Sequence, residues 1–268
     1  MYTLAVFGAG KIGEAVISGL LRSGWPVDRL VATERWPERA DELATRYGIR
    51  MLDTGPAVDA ADVLLIAVKP QDAGVLMAEL GPKVSADKLV VTLCAGLPIS
   101  FFAKWLTEGT PVVRVMTNTP VLVEEAMTAI SAGPYATAEH LGLAEEMFKP
   151  LGRTIRLPES QQDAVTALSG SGPAYFFYLV EAMTDAGILL GLPRQVAHDL
   201  IVQTAIGAAI MLRDSGEHPV TLREAVTSPA GTTISAIREL ENHGVRAALL
   251  AALSAAHDRA RELAAQND

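Results

Sequence analysis

The sequence predicts an α/β fold in which a doubly wound parallel sheet is followed by a domain made only of helices. Short runs rich in Val, Ile and Leu alternate with helical stretches in the first part of the chain. This alternation is typical of a parallel sheet covered on both faces. After Pro158 no strand pattern recurs, and Gly or Pro separates long apolar helical stretches. The 268 residues are enough for two domains, which we place at 1–158 and 159–268.

Each strand of the sheet is predicted from a short aliphatic run, and each helix from the apolar spacing between those runs. The predicted strands are Leu4–Phe7, Leu30–Ala32, Val63–Val68, Leu89–Thr92 and Val112–Met116, with edge strands at Ala126–Ser131 and Thr154–Leu157. The helices between them are predicted over Ile12–Ser23, Glu38–Tyr47, Gln71–Leu80, Ile99–Leu106 and Ala138–Pro150.

The second domain is predicted to contain long helices whose apolar surface needs a partner. Ala174–Leu192 is apolar enough to consider a membrane span, but Glu181 and Asp185 would be costly in hydrocarbon. We therefore expect no membrane contact, and a homodimer or a larger homo-oligomer built from dimers. The helices are predicted over Pro173–Leu190, Pro193–Arg213, Thr232–Asn242 and Val245–Ala265.

Composition limits the classes of protein that remain. Hydrophobic residues make up 50% of the chain and aromatic residues only 5%, so aliphatic side chains fill the interior. A net charge of −9 argues against a nucleic-acid-binding protein, which needs a basic surface to meet phosphates. The single cysteine, Cys94, excludes an intramolecular disulfide and a metal site with several thiolates. With no secretory signal pattern at the N-terminus, we expect a cytoplasmic protein without a metal.

The first strand leads directly into the pattern GxGxxG, formed by Gly8, Gly10 and Gly13, and then into a helix. In this context Gly8 permits a tight turn, Gly10 lets the backbone approach a pyrophosphate, and Gly13 lets the helix pack on the strand. The alternative is a glycine-rich turn that serves packing only. The βα units that follow favour a Rossmann-like domain that binds a dinucleotide.

The choice between NAD and NADP stays open at the second strand. Glu34 lies about 20 residues beyond the glycines and is suited to accept hydrogen bonds from a ribose 2′-hydroxyl. Arg35, or Arg39 further on, is suited to a 2′-phosphate. The alternative is that these are solvated loop charges.

Two more segments follow predicted strands at the carboxyl edge, where parallel sheets bind ligands. One is Ala67, Val68, Lys69 and Pro70, with Pro70 at the start of the next helix. The other is Cys94–Gly96, whose small residues allow a ribose to approach. Cys94 itself is predicted to be an inert buried thiol, because the sequence positions no base beside it.

The chemistry favours an imine substrate over a carbonyl. No lysine follows Lys149, so the helical domain lacks the lysine that β-hydroxyacid dehydrogenases use as a proton donor. An imine nitrogen is protonated before hydride transfer, so orientation matters more than a strong acid. Leu168–Tyr175 and Ser228–Thr233 each open a helix, which suits binding of a carboxylate. Ordinary N-capping by Ser or Thr is the alternative.

Five segments, in order, resemble those of the pyrroline-5-carboxylate reductase family, and the resemblance runs along essentially the whole chain. The most specific is Ser228–Thr233, which is similar to the family's C-terminal signature Ser-Pro-Gly-Gly-x-Thr. The other four segments are Phe7–Gly10, Ala67–Pro70, Arg114–Pro120 and Leu168–Tyr175.

The resemblance implies reduction of 1-pyrroline-5-carboxylate to L-proline, the last step of proline biosynthesis, with NADP(H), or alternatively NAD(H), as cofactor. It also implies a helical domain that interlocks with a partner's, so that the site draws on two subunits. Asn118 would lie near the nicotinamide. The implied cofactor contacts at the glycine turn and the carboxyl edge are Gly8, Ala9, Gly10, Lys11, Ile12, Ala67, Val68, Lys69, Pro70 and Ala95.

The implied substrate site lies at the family signature. Gly231, Thr232 and Thr233 would hold the carboxylate together with Ser228, and Thr233 would also orient the ring nitrogen as the catalytic residue. Glu159 occupies a position where the family can have an acid that contacts the substrate.

Two departures from the family pattern affect this site. Ala230 replaces the first glycine of the signature, so we expect this residue to avoid a left-handed conformation. Ala225 stands where some members carry an asparagine, and it receives no role. The alternatives are a reductase of a six-membered cyclic imine, a nucleotide-sensing protein without turnover, and a hydroxyacid dehydrogenase.

Overall fold

The computed structural model describes residues 2–265 of the chain. Within them, eight strands form one sheet in the order β3-β2-β1-β4-β5-β6-β7-β8. Strand β7 runs antiparallel to β6, and all other neighbouring strands are parallel. The strands are β1 Leu4–Phe7, β2 Leu30–Thr33, β3 Arg50–Met51, β4 Val63–Ile66, β5 Leu89–Thr92, β6 Val112–Met116, β7 Ala126–Ala132 and β8 Gly152–Arg156.

Helices connect and cover these strands and then make up the rest of the described chain. The first six are α1 Lys11–Arg22, α2 Pro37–Tyr47, α3 Thr54–Ala60, α4 Pro70–Leu80, α5 Ile99–Ala103 and α6 Ala138–Phe148. The remaining six are α7 Gln162–Val165, α8 Gly172–Leu189, α9 Arg194–Ser215, α10 Pro219–Ala225, α11 Thr232–Asn242 and α12 Val245–Ala265. A π-helical turn, Thr166–Gly170, lies between α7 and α8.

The sheet is covered by helices on both faces, as predicted. Because side chains alternate along a strand, the fully buried β1 contributes to two separate clusters. Leu4 and Val6 pack on one face with residues of α1 and α6, while Ala5 and Phe7 pack on the other with residues of α4 and α5. This two-sided burial explains why the strands are continuous apolar runs and not alternating ones.

The described chain divides into two compact units. The first runs as far as Ser171 and includes the chain again from Ala256, and the second is Gly172–Ala255. The boundary predicted between residues 158 and 159 separates two domains and not two compact units, and it stays a prediction.

The second unit has very little core of its own. Helices α8 and α9 pack against each other, yet the only buried residues in the unit are Gly172, Thr184 and Ala197. Large apolar side chains are exposed instead, such as Phe177 at 69% and Leu189 at 89%. By length and composition, α9 is the one helix among the described residues that could cross a membrane.

Most predicted elements are confirmed to within a few residues. Both edge strands are present as β7 and β8, and the bounds of α11 and α12 are as predicted. Strand β3 and helices α3, α7 and α10 were not predicted. Each is seven residues or shorter, which is too short for a periodic pattern to be recognised.

Candidate active site

The turn between β1 and α1 has the backbone that its three glycines require. Gly8 has a φ of +94°, and a Cβ there would lie 2.7 Å from Cγ1 of Val68. A Cβ on Gly13 would overlap the carbonyl oxygen of Gly8, so this glycine allows α1 to pack on the turn. A Cβ on Gly10 would meet no protein atom within 4 Å. The space beside Gly10 is therefore open to a ligand.

The first turn of α1 fits a phosphate. Gly10 is the N-cap residue and has no side chain, so no side-chain hydrogen bond satisfies the N–H groups at this end of the helix. These groups and the positive end of the helix dipole attract an anion. Lys11 is exposed at the first position of the helix and adds a positive charge. The residues present therefore suit a pyrophosphate.

A cavity of about 710 Å³ lies at the carboxyl edge of β1, β2 and β4. Its volume is in the range of small-molecule and cofactor sites. The predicted cofactor residues that line it are Gly8, Ala9, Gly10, Glu34, Arg35, Arg39, Ala67, Val68 and Lys69. Lys11, Ile12, Gly13, Pro70, Ala95 and Asn118 are not among its lining residues.

The sequence did not indicate one end of this cavity. Leu52, Asp53 and Thr54 line it between β3 and α3, and Val75 lines it from α4. Strand β3 is only two residues long, so this part of the chain gave no strand pattern. Val75 is an apolar residue of α4 that is 79% exposed, an exposure that only the structure shows.

Arg35 and Glu34 have different surroundings in the loop after β2. The Glu34 carboxylate accepts a hydrogen bond from the backbone N–H of Trp36 in its own loop, at 3.2 Å. The Arg35 side chain is 68% exposed and lies 3.6 Å from Asp72. Its guanidinium also stacks over the Trp36 ring, 5.2 Å from the ring centre.

Arg39, in contrast, is held inside an ion-pair network between α1 and α2. Its guanidinium contacts Glu14, and it donates to Glu42 at 2.6 Å. Burial alone would raise the pKa of Glu14, but hydrogen bonds from Tyr47, Arg39 and Arg46 hold this pKa below its usual value. This network fixes α2 beside the glycine turn and occupies Arg39.

The ends of β4 and β5 agree with the sequence-based expectations. Pro70 begins α4 directly after the N-cap residue Lys69, and the Lys69 side chain is exposed. Ala95 is exposed after β5, and Gly96 has a φ of +74°. Burial raises the pKa of the Cys94 thiol to about 11, so Cys94 is an inert thiol, as predicted.

Asn118 and Glu159 both have protein partners in the first unit. The Asn118 amide bonds to the backbone of Met127 and Ser169. The Glu159 carboxylate accepts from the backbone N–H of Ile99 at 2.7 Å and pairs with the buried Arg114 at 3.2 Å. Their roles toward ligands, expected from the sequence, stay predictions.

The Ser228–Gly231 turn before α11 corrects one expectation. Ala230 has a φ of +56°, in the left-handed region that the sequence predicted it would avoid. The N–H of Gly231 donates to the Ser228 carbonyl at 3.1 Å, which closes a four-residue turn with Ala230 at its third position. A positive φ at this position is required in a type II turn, so the turn geometry overrides the preference of alanine.

The first turn of α11 is uncapped, contrary to the simple capping alternative. Its N-cap residue, Gly231, makes no side-chain hydrogen bond. Ser228, Thr232 and Thr233 show no side-chain hydrogen bonds in the described part of the chain, and Thr233 is half-buried. Backbone N–H groups and free hydroxyls at one helix end are a suitable set of donors for a carboxylate.

Two protein families match this chain. The family described as pyrroline-5-carboxylate reductase dimerisation matches residues 159–263, and the one described as NADP oxidoreductase, coenzyme F420-dependent, matches residues 3–96. The pyrroline-5-carboxylate reductase of Mycobacterium tuberculosis is 44% identical, over 98% of this chain and 97% of that protein. The chain belongs to the pyrroline-5-carboxylate reductase family. The resemblance inferred from the five segments is thereby confirmed.

Solved structures of this family share the fold. The pyrroline-5-carboxylate reductase of Coxiella burnetii is 34% identical, with a TM-score of 0.93 over 98% of both chains. The Plasmodium falciparum pyrroline carboxylate reductase, solved with NADP bound, is 24% identical, with a TM-score of 0.88 over 98% of both chains.

Proposed function

We propose that this protein is an oxidoreductase that reduces 1-pyrroline-5-carboxylate to L-proline with NAD(P)H. Family membership over the whole chain is the observation that carries this proposal. The cavity beside the glycine turn and the uncapped end of α11 supply the two kinds of site that the reaction needs. When bound, the reduced nicotinamide supplies the hydride that adds to C5 of the imine.

The first unit holds the cofactor. The open backbone at Gly10 and the start of α1 bind the pyrophosphate, and Lys11 and Lys69 are exposed cations at the same edge of the sheet. Ala95 lies at the end of the neighbouring strand β5, where a small side chain permits a ribose to approach. The remaining contacts proposed on the turn and at the strand end are Gly8, Ala9, Ile12, Gly13, Ala67, Val68 and Pro70.

The second unit holds the substrate carboxylate. Backbone N–H groups of Thr232 and Thr233 and the free hydroxyl of Ser228 bind its oxygens, with Gly231 as the N-cap. The Thr233 hydroxyl orients the ring nitrogen. Since a cyclic imine takes its proton from water before the hydride arrives, the chain needs to supply no strong acid. Its contribution is orientation, which brings the reacting atoms together.

Steady-state kinetics of Thr233→Ala test this assignment. A hydrogen bond to a charged group contributes about 1.5–3 kcal/mol, so we expect kcat/KM for the imine to fall by about 10- to 100-fold. Ser235→Ala is the control, because its hydroxyl bonds back to the Gly231 carbonyl within the helix at 3.1 Å. Unchanged kcat/KM in Thr233→Ala would refute the role of the Thr233 hydroxyl in orienting the ring nitrogen.

NADPH is the preferred cofactor in our proposal, because Arg35 is the available cation beside Glu34. Arg39 is held by Glu14 and Glu42, whereas Arg35 is exposed, stacks over Trp36 and lies 3.6 Å from its ion-pair partner Asp72. The Glu34 carboxylate is turned to its own loop backbone. Arg35 is therefore suited to the 2′-phosphate, with Glu34 beside the adenosine ribose.

Comparing the two cofactors in Arg35→Gln tests this preference. We expect KM for NADPH to rise by about 10- to 100-fold, as for a lost charge-assisted hydrogen bond, and KM for NADH to stay the same. Arg46→Gln is the control, since Arg46 bonds Glu14 and Glu42 outside the cavity. An equal rise for both cofactors in Arg35→Gln would refute a 2′-phosphate contact.

The second unit also supports self-association. Its buried residues are too few for a core, and it lies within the part matched by the dimerisation family. We propose a cytoplasmic homodimer, or a larger homo-oligomer built from dimers, in which the exposed apolar side chains pack between subunits. The apolar surface of α9 then belongs to a subunit contact and not to a membrane.

A further inference from the structure

Asn118 lies just beyond the end of β6, and its side chain is not used by the turn that follows it. The residue has an extended backbone and precedes a 3-10 turn, Thr119–Val123. At such a position an asparagine commonly caps the next turn. Here no side-chain cap hydrogen bond forms, so the amide is directed to other partners.

The amide joins two other segments of the first unit. Its oxygen accepts a hydrogen bond from the backbone N–H of Met127 in β7, at 3.1 Å. Its Nδ2 donates to the backbone carbonyl of Ser169 at 3.1 Å and lies 3.4 Å from the Ser169 hydroxyl. Both polar ends of the half-buried side chain are therefore already bonded to protein.

Ser169 belongs to the π-helical turn Thr166–Gly170. The N–H of Ser171 donates to the Thr166 carbonyl at 2.9 Å, which closes this wide turn. A Cβ on Gly170 would overlap the methyl group of Met116, so the turn packs directly on the end of β6. Single π-helical turns are rare, and many of them lie at functional sites.

This contact lies at the ligand-binding edge of the sheet. Strands β5 and β6 are parallel neighbours, with Thr92 opposite Arg114. Asn118 therefore follows β6 at the same edge at which Ala95 follows β5. In open α/β sheets, ligands bind outside the carboxyl ends of the strands.

We propose that Asn118 is a positioning residue that holds the Thr166–Gly170 turn at this edge, and that it does not bind the cofactor through its side chain. The role needs one acceptor and one donor on a short side chain, which asparagine supplies. Aspartate has the same shape but lacks the donor and would place negative charge against the Ser169 carbonyl. The inference rests on the proposed reductase activity, because the turn matters through the geometry of hydride transfer.

The test measures kcat, KM for pyrroline-5-carboxylate and Kd for NADPH in Asn118→Asp and Asn118→Ala. Thr128→Val is the matched control. It removes another buried hydrogen bond between the β6 end and β7, which joins the Thr117 and Thr128 hydroxyls at 2.9 Å, but leaves the Ser169 contact intact. Thermal unfolding of every variant is recorded alongside the kinetics.

We expect kcat to fall by about 10- to 100-fold in both Asn118 variants, since displacement by about 1 Å can cost 10²-fold. Kd for NADPH should change by less than about twofold, and Thr128→Val should lower Tm but keep kcat. An NADPH Kd that rises in parallel with the loss of kcat/KM would overturn the proposal in favour of a cofactor contact. Unchanged kcat in Asn118→Asp, or an equal loss in Thr128→Val, would also overturn it.

The wild-type measurement separates the two proposals. A wild type that does not reduce the imine contradicts the proposed function. The NADPH Kd of the Asn118 variants still decides between a cofactor contact and a positioning role, because it needs no turnover.

Discussion

Ala230 adopts a left-handed backbone (φ +56°) in the turn that precedes α11. This conformation costs a residue with a Cβ about 1–2 kcal/mol. The same turn places the uncapped end of α11, which we propose as the carboxylate site. Alanine at this position therefore lowers the stability of the turn that leads into the proposed carboxylate site.

Replacing Ala230 with glycine should relieve this strain. Glycine gains about 1–2 kcal/mol in the folded turn but loses about 0.4–1 kcal/mol through the greater freedom of the unfolded chain. We expect Ala230→Gly to be more stable by about 0–1.6 kcal/mol, measured by chemical unfolding at a fixed protein concentration. A clear loss of stability would show that the turn does not hold the left-handed conformation.

Cys94 provides a second prediction for a single residue, and it concerns pH. Burial raises the pKa of its thiol to about 11, above the value of about 8.5 for an exposed cysteine. The folded state keeps the proton longer, so this contribution to stability is complete below pH about 8.5 and is lost as the pH rises toward 11.

Comparing unfolding of the wild type and Cys94→Ala at pH 8 and pH 10 checks this sign. The wild type should lose more stability over that interval than the variant. Native protein at pH 8 should also react with thiol reagents much more slowly than unfolded protein. Rapid labelling of the native thiol would contradict its burial.

At the scale of elements, the β1–α1 unit could be predicted from the sequence almost completely. Gly8, Gly10 and Gly13 have a fixed spacing; Gly8 has the predicted backbone of a tight turn and Gly13 the predicted close packing of α1, and the space beside Gly10 is open. The two-residue strand β3 could not be predicted in this way, because it is specified by its pairing with β2 and not by a local pattern.

The candidate site follows the same division. The part of the cavity lining at the glycine turn was predictable, since a local motif encodes it. The partners of Asn118 were not, because Met127 and Ser169 are brought to it only by the antiparallel β7 and the π-helical turn. Sequence spacing also did not show that Arg39 is occupied by Glu14, which lies on another helix.

The variants Gly10→Ala and Gly13→Ala test two different roles of glycine in the β1–α1 unit. The first tests ligand binding, and the second tests packing of the helix. Gly10→Ala should fold with unchanged stability, because its φ of −67° suits alanine and no protein atom lies near the new Cβ. It should weaken NADPH binding, since that Cβ enters the space proposed for the pyrophosphate. Gly13→Ala should be destabilised by about 1–3 kcal/mol through overpacking against Gly8.

Thermal unfolding and NADPH titration of the two variants give the comparison. A normal NADPH affinity in Gly10→Ala would contradict binding of the pyrophosphate at this turn. Wild-type stability of Gly13→Ala would contradict the close packing of α1 on Gly8.

At the scale of the whole molecule, folding of the helical unit is expected to depend on association. Phe176, Phe177 and Tyr178 are consecutive and about 70% exposed. Consecutive residues project about 100° apart around a helix, so these three side chains spread over about 200° of its circumference. A partner that covers the helix must therefore contact at least one of them. An unfolding equilibrium coupled to dissociation depends on protein concentration.

We therefore expect the unfolding midpoint to rise with protein concentration, and Phe177→Glu to reduce the oligomer mass seen in analytical ultracentrifugation. Val27→Glu is the control, because Val27 is an exposed apolar residue of the first unit. A concentration-independent midpoint together with a monomeric wild type would contradict the proposed association.

The most direct test of the proposed activity follows the transferred hydride. NADPH that carries deuterium at the transferable position of C4 is incubated with the protein and 1-pyrroline-5-carboxylate, and the product is examined by mass spectrometry and NMR. We predict proline with one deuterium at C5 and a matching amount of NADP⁺. Oxidation of NADPH without label in proline, or no oxidation at all, would contradict direct hydride transfer to the imine.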